Sequence, residues 1–214
     1  MSSRLGVDGG SPPTIGIFVG GRGLRMGGVA KANLKVSDGR TILERTLECC
    51  EAASRSAFGG SASIWLVGES SAYAAHPQLQ RIADDPVGVG PIGGLRAFLR
   101  ALPPDACGIA LAGDMPALTP ALLVRLHRET QHAAALAPRD AEGRWQPLFA
   151  RYSAGRVLAA VDAALAAGKT SLQHLFSWLG PAACVLSLSD AEQRCMHDWD
   201  RPGDMNTGCP ESPE

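Results

Sequence analysis

Residues 14–19 form a short uncharged apolar run that leads straight into Gly20-Gly21. A run of this length, closed by glycine, is the pattern of a buried strand feeding a glycine loop. The same reading places strands at 63–67, 79–83, 109–112, 145–152 and 184–188. Helical segments lie between them. Thr41 with Glu44 makes a capping box, ahead of a stripe of Leu43, Leu47 and Cys50. Residues 92–102 read as a helix closed by Pro103-Pro104. Thr119-Pro120 opens another, 156–167 ends at Gly168, and 171–179 ends at Gly180. Strands alternating with helices predict an α/β chain with a mostly parallel sheet. Ligands of such sheets bind at the carboxyl ends of the strands, where the glycine loops and isolated aspartates of this chain fall.

The 214 residues show no break in composition and are 45% apolar, enough for one domain with a full core. The expected limits are a Ser/Gly/Pro-rich lead over 1–13, a domain over 14–205 and a loose tail over 206–214. Twenty Lys and Arg stand against 21 Asp and Glu, a net charge of −1. That balance excludes a disordered chain and lacks the basic footprint of a nucleic-acid binder. Aromatic residues, at 5%, are too few for a base-stacking platform. The uncharged stretch 170–189 holds His174 and Gly180-Pro181, a mixture unsuited to a membrane span. Arg4 and Asp8, with no apolar core after them, do not make a secretory signal. Six cysteines without a C-x-x-C pair read as buried residues or free thiols, which points to the cytoplasm. The histidines lack zinc spacing, and there is no G-x-S-x-G elbow.

The segment Gly20-Gly21-Arg22-Gly23-Leu24-Arg25-Met26-Gly27-Gly28 leads on to Lys31. Closely spaced glycines let backbone N–H groups cradle an anion, and the basic residues can neutralise phosphate. A tight turn with solvated cations would have the same composition. Gly88-Val89-Gly90-Pro91-Ile92-Gly93 matches the dinucleotide fingerprint letter for letter, with Asp114 about 20 residues on. The preceding strand, however, ends in Asp84-Asp85-Pro86, whose charges would repel a pyrophosphate. Asp114 suits two roles, holding the turn into the next helix or binding a hard divalent cation through oxygen. Asp198 and Asp200, on the same side of an extended stretch, suit a solvated acidic turn equally well.

Taken in order, these segments resemble the molybdenum cofactor guanylyltransferases and related nucleotidyltransferases. Phe18-Val19-Gly20-Gly21-Arg22-Gly23-Leu24-Arg25-Met26-Gly27 with Lys31 is similar to the family's signature loop. Asp84 with Gly90-Pro91-Ile92-Gly93-Gly94-Leu95 resembles its acid and G-P-L-A-G segment. Gly113-Asp114-Met115-Pro116 resembles its C-D-x-P metal motif, and Gln146-Pro147-Leu148 its H-P or Q-P strand. The stretch from Asp198 to Met205 resembles its closing N-x-N-T-P-E-D-L. The departures are Gly23 for Ser, Ala30 for an acid before the Lys, Gly68 near a usual Asn, and Asp198 and Asp200 for two Asn. The last pair is closer to the cytidylyl branch.

The resemblance implies a three-layer Rossmann-like fold with helices on both faces of the sheet. It implies transfer of GMP from GTP to molybdopterin with release of pyrophosphate. Catalytic Arg25 and Lys31 would neutralise phosphate charge. Phe18, Val19, Gly20, Gly21, Arg22, Gly23, Lys31, Asp84 and Asp114 would line the nucleotide, and Mg2+ would sit on Asp114 and Asp200. Alternatives are a molybdopterin cytidylyltransferase using CTP, a sugar-phosphate nucleotidyltransferase, and an accessory nucleotide-binding protein without turnover. Expected partners are GTP and molybdopterin, and beyond them apo-molybdoenzymes or other cofactor-biosynthesis proteins, with neither nucleic acid nor membrane.

Overall fold

The computed structural model describes residues 12–20, 31–36 and 38–196. Seven strands form one sheet: β1 (Thr14–Phe18), β2 (Ser63–Val67), β3 (Gln80–Ile82), β4 (Cys107–Ala112), β5 (Ala135–Ala137), β6 (Phe149–Ser153) and β7 (Ala183–Val185), in the order β3-β2-β1-β4-β6-β5-β7. Every pairing is parallel except those made by β6, which runs antiparallel to both β4 and β5.

Alternation along the strands divides the core in two. Ile15, Ile17, Val19, Ile109 and Leu111 face helices α1 (Ile42–Ala57) and α3 (Pro120–Arg128). Phe18, Val67, Ala110, Ala150 and Tyr152 face α2 (Pro91–Ala101), α4 (Ala154–Ala166) and α5 (Leu172–Leu179). The result is helix layer, sheet, helix layer, as a sheet buried on both faces requires. No helix among the described residues is long and apolar enough to cross a membrane.

Several boundaries differ from the sequence reading. The strand expected over 145–152 begins at Phe149, because Arg139 and Trp145 pair across a hairpin whose turn is held by the Asp140 carboxylate. That oxygen accepts from the backbone N–H groups of Glu142 and Arg144. Strand β5 was not anticipated, since its three residues include two alanines and alanine carries little strand signal. A short α6 (Asp190–Arg194) follows a capping box of Ser189 and Glu192.

Two buried features fix the layers. Arg151, 1% exposed on β6, donates to the carbonyls of His127, Glu129 and Thr130 at 2.7, 2.8 and 2.6 Å. These bonds satisfy carbonyls that α3 leaves open at its C-terminal end and solvate a buried cation. On the other face, Phe98 of α2 lies on two glycines of the sheet. A Cβ at Gly16 would come within 3.0 Å of the Phe98 ring, and one at Gly108 within 2.6 Å. Phe18 and Trp65 meet the same ring edge-on, with centroids 6.4 and 5.8 Å away.

Gly108→Ala should therefore destabilise the fold by about 1–3 kcal/mol in urea unfolding, as overpacking does. The cost should shrink when Phe98→Leu is made in the same chain. Additive costs would show that the ring does not set the approach of α2.

Candidate active site

Strands β3, β2, β1 and β4 run parallel and so end along one edge of the sheet. Chain connections leave β1 toward β2 and β4 toward β6 and β5, so the sheet order reverses between β1 and β4. A reversal of this kind opens a crevice at the carboxyl ends of the two strands. Gly20 follows β1 there, and Gly113-Asp114 follows β4. The Gly113 N–H donates to the Phe18 carbonyl at 2.9 Å, which locks the two strand ends together.

The edge continues through β2 and β3 in the same manner. Val19 N–H donates to the Val67 carbonyl at 3.0 Å, and Gly68 N–H to the Ile82 carbonyl at 2.9 Å. Gly68 has φ +87°, and a Cβ there would meet the Gly20 Cα at 2.9 Å. Two backbones thus touch at the strand ends with no side chain between them, which only glycine permits at this φ.

Asp84 stands two residues beyond β3 on the same edge. Its Oδ1 would lie 2.9 Å from a Cβ placed on Gly94 and 3.4 Å from one on Gly68. Gly93 is as tightly held, since a Cβ on it would fall 2.3 Å from the Pro86 carbonyl. The first turn of α2 is thereby docked against the 84–86 turn, with Gly90 at the N-cap (φ +80°) and Pro91 at the first helical position. This accounts for the glycines of the false dinucleotide fingerprint. Gly93 serves close packing of α2, whereas Gly88 and Gly90, with open space beside them, hold the positive φ of +84° and +80° that the turn into the helix requires.

The two neighbouring aspartates differ in kind. Asp85 turns away and pairs with Arg96 and Arg100 at 2.7 and 3.2 Å. Its charge is thus compensated at α2 and does not repel a phosphate at the edge, contrary to the argument from the acidic pair alone. Asp84 is half-buried, and among the described residues its carboxylate has no hydrogen bond or ion pair. Burial, with Glu69 as a like charge nearby, pushes its carboxyl above the ordinary range. Across the edge, Asp84 and Asp114 are three strand spacings apart, roughly 14 Å.

Phe18 and Val19 are buried in opposite cores beneath this edge, and Phe18 O and Val19 N are already bonded within the sheet. They form the floor. Lys31 opens a short turn, Lys31–Asn33. Gly21, Arg22, Gly23, Arg25, Asp198 and Asp200 lie outside the described residues. Gly20, Gly68, Asp84, Gly94 and Asp114 are therefore the site residues that the structure brings to one edge. The contact between Gly20 and Gly68 was not foreseen, although a glycine directly after each of two parallel strands was its signal.

Comparison with known proteins follows the same outline. The sequence signature of the family described as MobA-like NTP transferase domain matches residues 15–183. A protein of Opitutus terrae named "Probable molybdenum cofactor guanylyltransferase" is 29% identical over 196 residues, covering 89% of this chain and 91% of its own. A Methanosarcina mazei protein of the same name is 30% identical over 164 residues, 73% of this chain and 70% of its own. Among solved structures, molybdopterin-guanine dinucleotide biosynthesis protein A of Archaeoglobus fulgidus superimposes with a TM-score of 0.69 at 23% identity, covering 90% and 94% of the two chains. The 2-C-methyl-D-erythritol 4-phosphate cytidylyltransferase of Francisella tularensis gives 0.65 at 16% identity, covering 91% and 97%. These structures share the fold.

An acid whose folded pKa is raised binds protons that the unfolded chain has lost, so stability falls as pH rises through that interval. Asp84→Asn should therefore raise the melting temperature at neutral pH. The gain should vanish as pH drops below the usual carboxylate range. A melting temperature lower than wild type at neutral pH would show that the ionised carboxylate is bonded and stabilising.

Proposed function

The chain belongs to the MobA-like NTP transferase domain family, and from that premise we propose that it transfers GMP from GTP to molybdopterin and releases pyrophosphate. One observation carries this reading: a single glycine-lined sheet edge at the chain reversal bears Asp84 at one end and Asp114 at the other. The names of the Opitutus and Methanosarcina relatives support the same activity.

In this reading the base lies over Gly68 and Asp84, where a side chain at position 68 would obstruct it. Guanine offers N1–H and N2–H2 donors, and a carboxylate accepts both, whereas cytosine presents one amino donor beside two acceptors. A guanine bound there would supply the hydrogen bonds that hold Asp84 ionised despite its burial. The wrong base would leave buried groups unpaired.

The triphosphate then extends along Gly20 toward Asp114. An oxygen of the acceptor's own phosphate attacks the α-phosphorus of GTP. A new P–O bond forms, the bond to the β-phosphate oxygen breaks, and the electron pair leaves with pyrophosphate. The chain needs no nucleophile of its own. By resemblance, Arg25 and Lys31 are assigned to the charge developing on the leaving group.

Asp114 offers hard carboxylate oxygen where the phosphates pass. Among the described residues no group of three or more His, Cys, Asp or Glu is gathered. Carboxylate oxygen fits magnesium, which is held by one or two carboxylates with phosphate oxygens and water. We assign Asp200 as the second acid. Magnesium, when bound, neutralises phosphate charge and keeps the entering and leaving oxygens aligned. Five described cysteines are free thiols, in keeping with a cytoplasmic enzyme.

Incubation with magnesium, molybdopterin and GTP labelled at the α-phosphate should move the label onto the pterin and release pyrophosphate. Transfer from CTP in preference to GTP would replace guanylyl by cytidylyl transfer, and absence of any transfer would refute the activity. Asp114→Asn keeps the side-chain shape and removes the charge. It should abolish magnesium-dependent GTP binding and cut turnover by at least ~100-fold. Lys31→Ala should lower kcat by about 100- to 1,000-fold with an unchanged melting temperature. Near-normal turnover in either variant would remove that residue from the mechanism.

A further inference from the structure

The hairpin between β5 and β6 stands on the same edge as Asp114, on the side away from Asp84. Both β4 and β5 run antiparallel to β6, so β5 ends where β4 ends. The Ala112 N–H donates to the Leu148 carbonyl at 2.6 Å, which ties the approach to β6 two residues from Asp114. Arg139 and Trp145 face each other across this hairpin through a backbone bridge.

Trp145 is held on three sides. Phe176 of α5 stacks against its ring, with centroids 4.6 Å apart and planes 28° from parallel. The Gln173 side chain accepts from the Trp145 N–H at 3.1 Å and donates to its carbonyl at 2.7 Å. The Arg139 guanidinium also lies over the ring, with its Cζ 4.2 Å from the ring centroid. Arg139 is itself exposed, and among the described residues it makes no ion pair or hydrogen bond. Its neighbour Arg144, by contrast, is spent on Asp140 and Glu142.

A guanidinium lying over an indole is a planar cation, and this one is exposed at the hairpin that flanks Asp114. Guanidinium planes stack well on planar heteroaromatic rings, and the N–H groups at the rim can donate to a ring carbonyl. The acceptor of the proposed reaction carries such a ring in its pterin. Resting on that reading, we propose that Arg139, backed by Trp145, is the platform on which the acceptor's pterin stacks, with its phosphate turned toward Asp114. Nucleotide and acceptor then approach Asp114 from opposite sides of the edge.

The test uses the full chain with Arg139→Ala and Arg139→Lys, the second keeping charge while losing the plane. Molybdopterin binding is measured by calorimetry, and KM is measured for both substrates. Both variants should weaken molybdopterin binding, and raise its KM, by about 10-fold or more. The KM for GTP and the melting temperature should stay near wild type. Wild-type affinity in Arg139→Lys would show that charge alone acts and would overturn the stacking platform, as would wild-type affinity in Arg139→Ala or absence of binding by the wild-type protein. If the wild type binds molybdopterin through Arg139 yet transfers nothing from GTP, the platform stands and the guanylyl reading falls.

Discussion

The close seating of α2 on the sheet is the contact on which the rest of the architecture turns. Wherever the helix comes nearest, the residue beneath or within it is glycine: Gly16 and Gly108 under Phe98, Gly93 against Pro86, Gly94 against Asp84. Protein interiors are packed densely enough that a single added methyl at such a point forces a shift. The large ring and the missing side chains are therefore one device. It brings the first turn of α2 down to the strand ends, and that turn sets where Asp84 stands.

From this follows the character of the edge. Gly20 and Gly68 leave its centre free of side chains, while Asp84 and Asp114 put a carboxylate at either end. A charged, polyanionic ligand laid along such an edge meets backbone in the middle and specific acids at its limits. The antiparallel course of β6 has its own consequence. Strand β5 ends and β6 begins at the same edge, so the Arg139–Trp145 hairpin flanks Asp114 on the side away from Asp84.

Much of this was legible in the amino-acid sequence, and the omissions have physical causes. Apolar runs closed by glycine located β1, β2 and β4, because strands buried on both faces have little freedom in composition. Strand β5 was illegible, since Ala135-Leu136-Ala137 is extended only through pairing with β6 and β7, a tertiary effect on residues that favour helix. Trp145 to Leu148 looked like strand but belongs to a hairpin governed by Asp140. The order of motifs along the chain pointed to the site, whereas its geometry depends on pairing between distant segments. The glycine after each of two apolar runs marks Gly20 and Gly68 without pairing them, and the placing of Arg139 over Trp145 leaves no trace in local spacing. The sequence also grouped Asp84 with Asp85, and only the arginines of α2 separate their roles.

The central claim is that the glycine-lined edge between Asp84 and Asp114 is the nucleotide site. A crystal structure of the protein with GTP and magnesium addresses it most directly. The account predicts guanine against Gly68 and Asp84, with the α-phosphate beside Asp114. A nucleotide bound away from this edge, or with its base at Asp114 and its phosphates at Asp84, would contradict it.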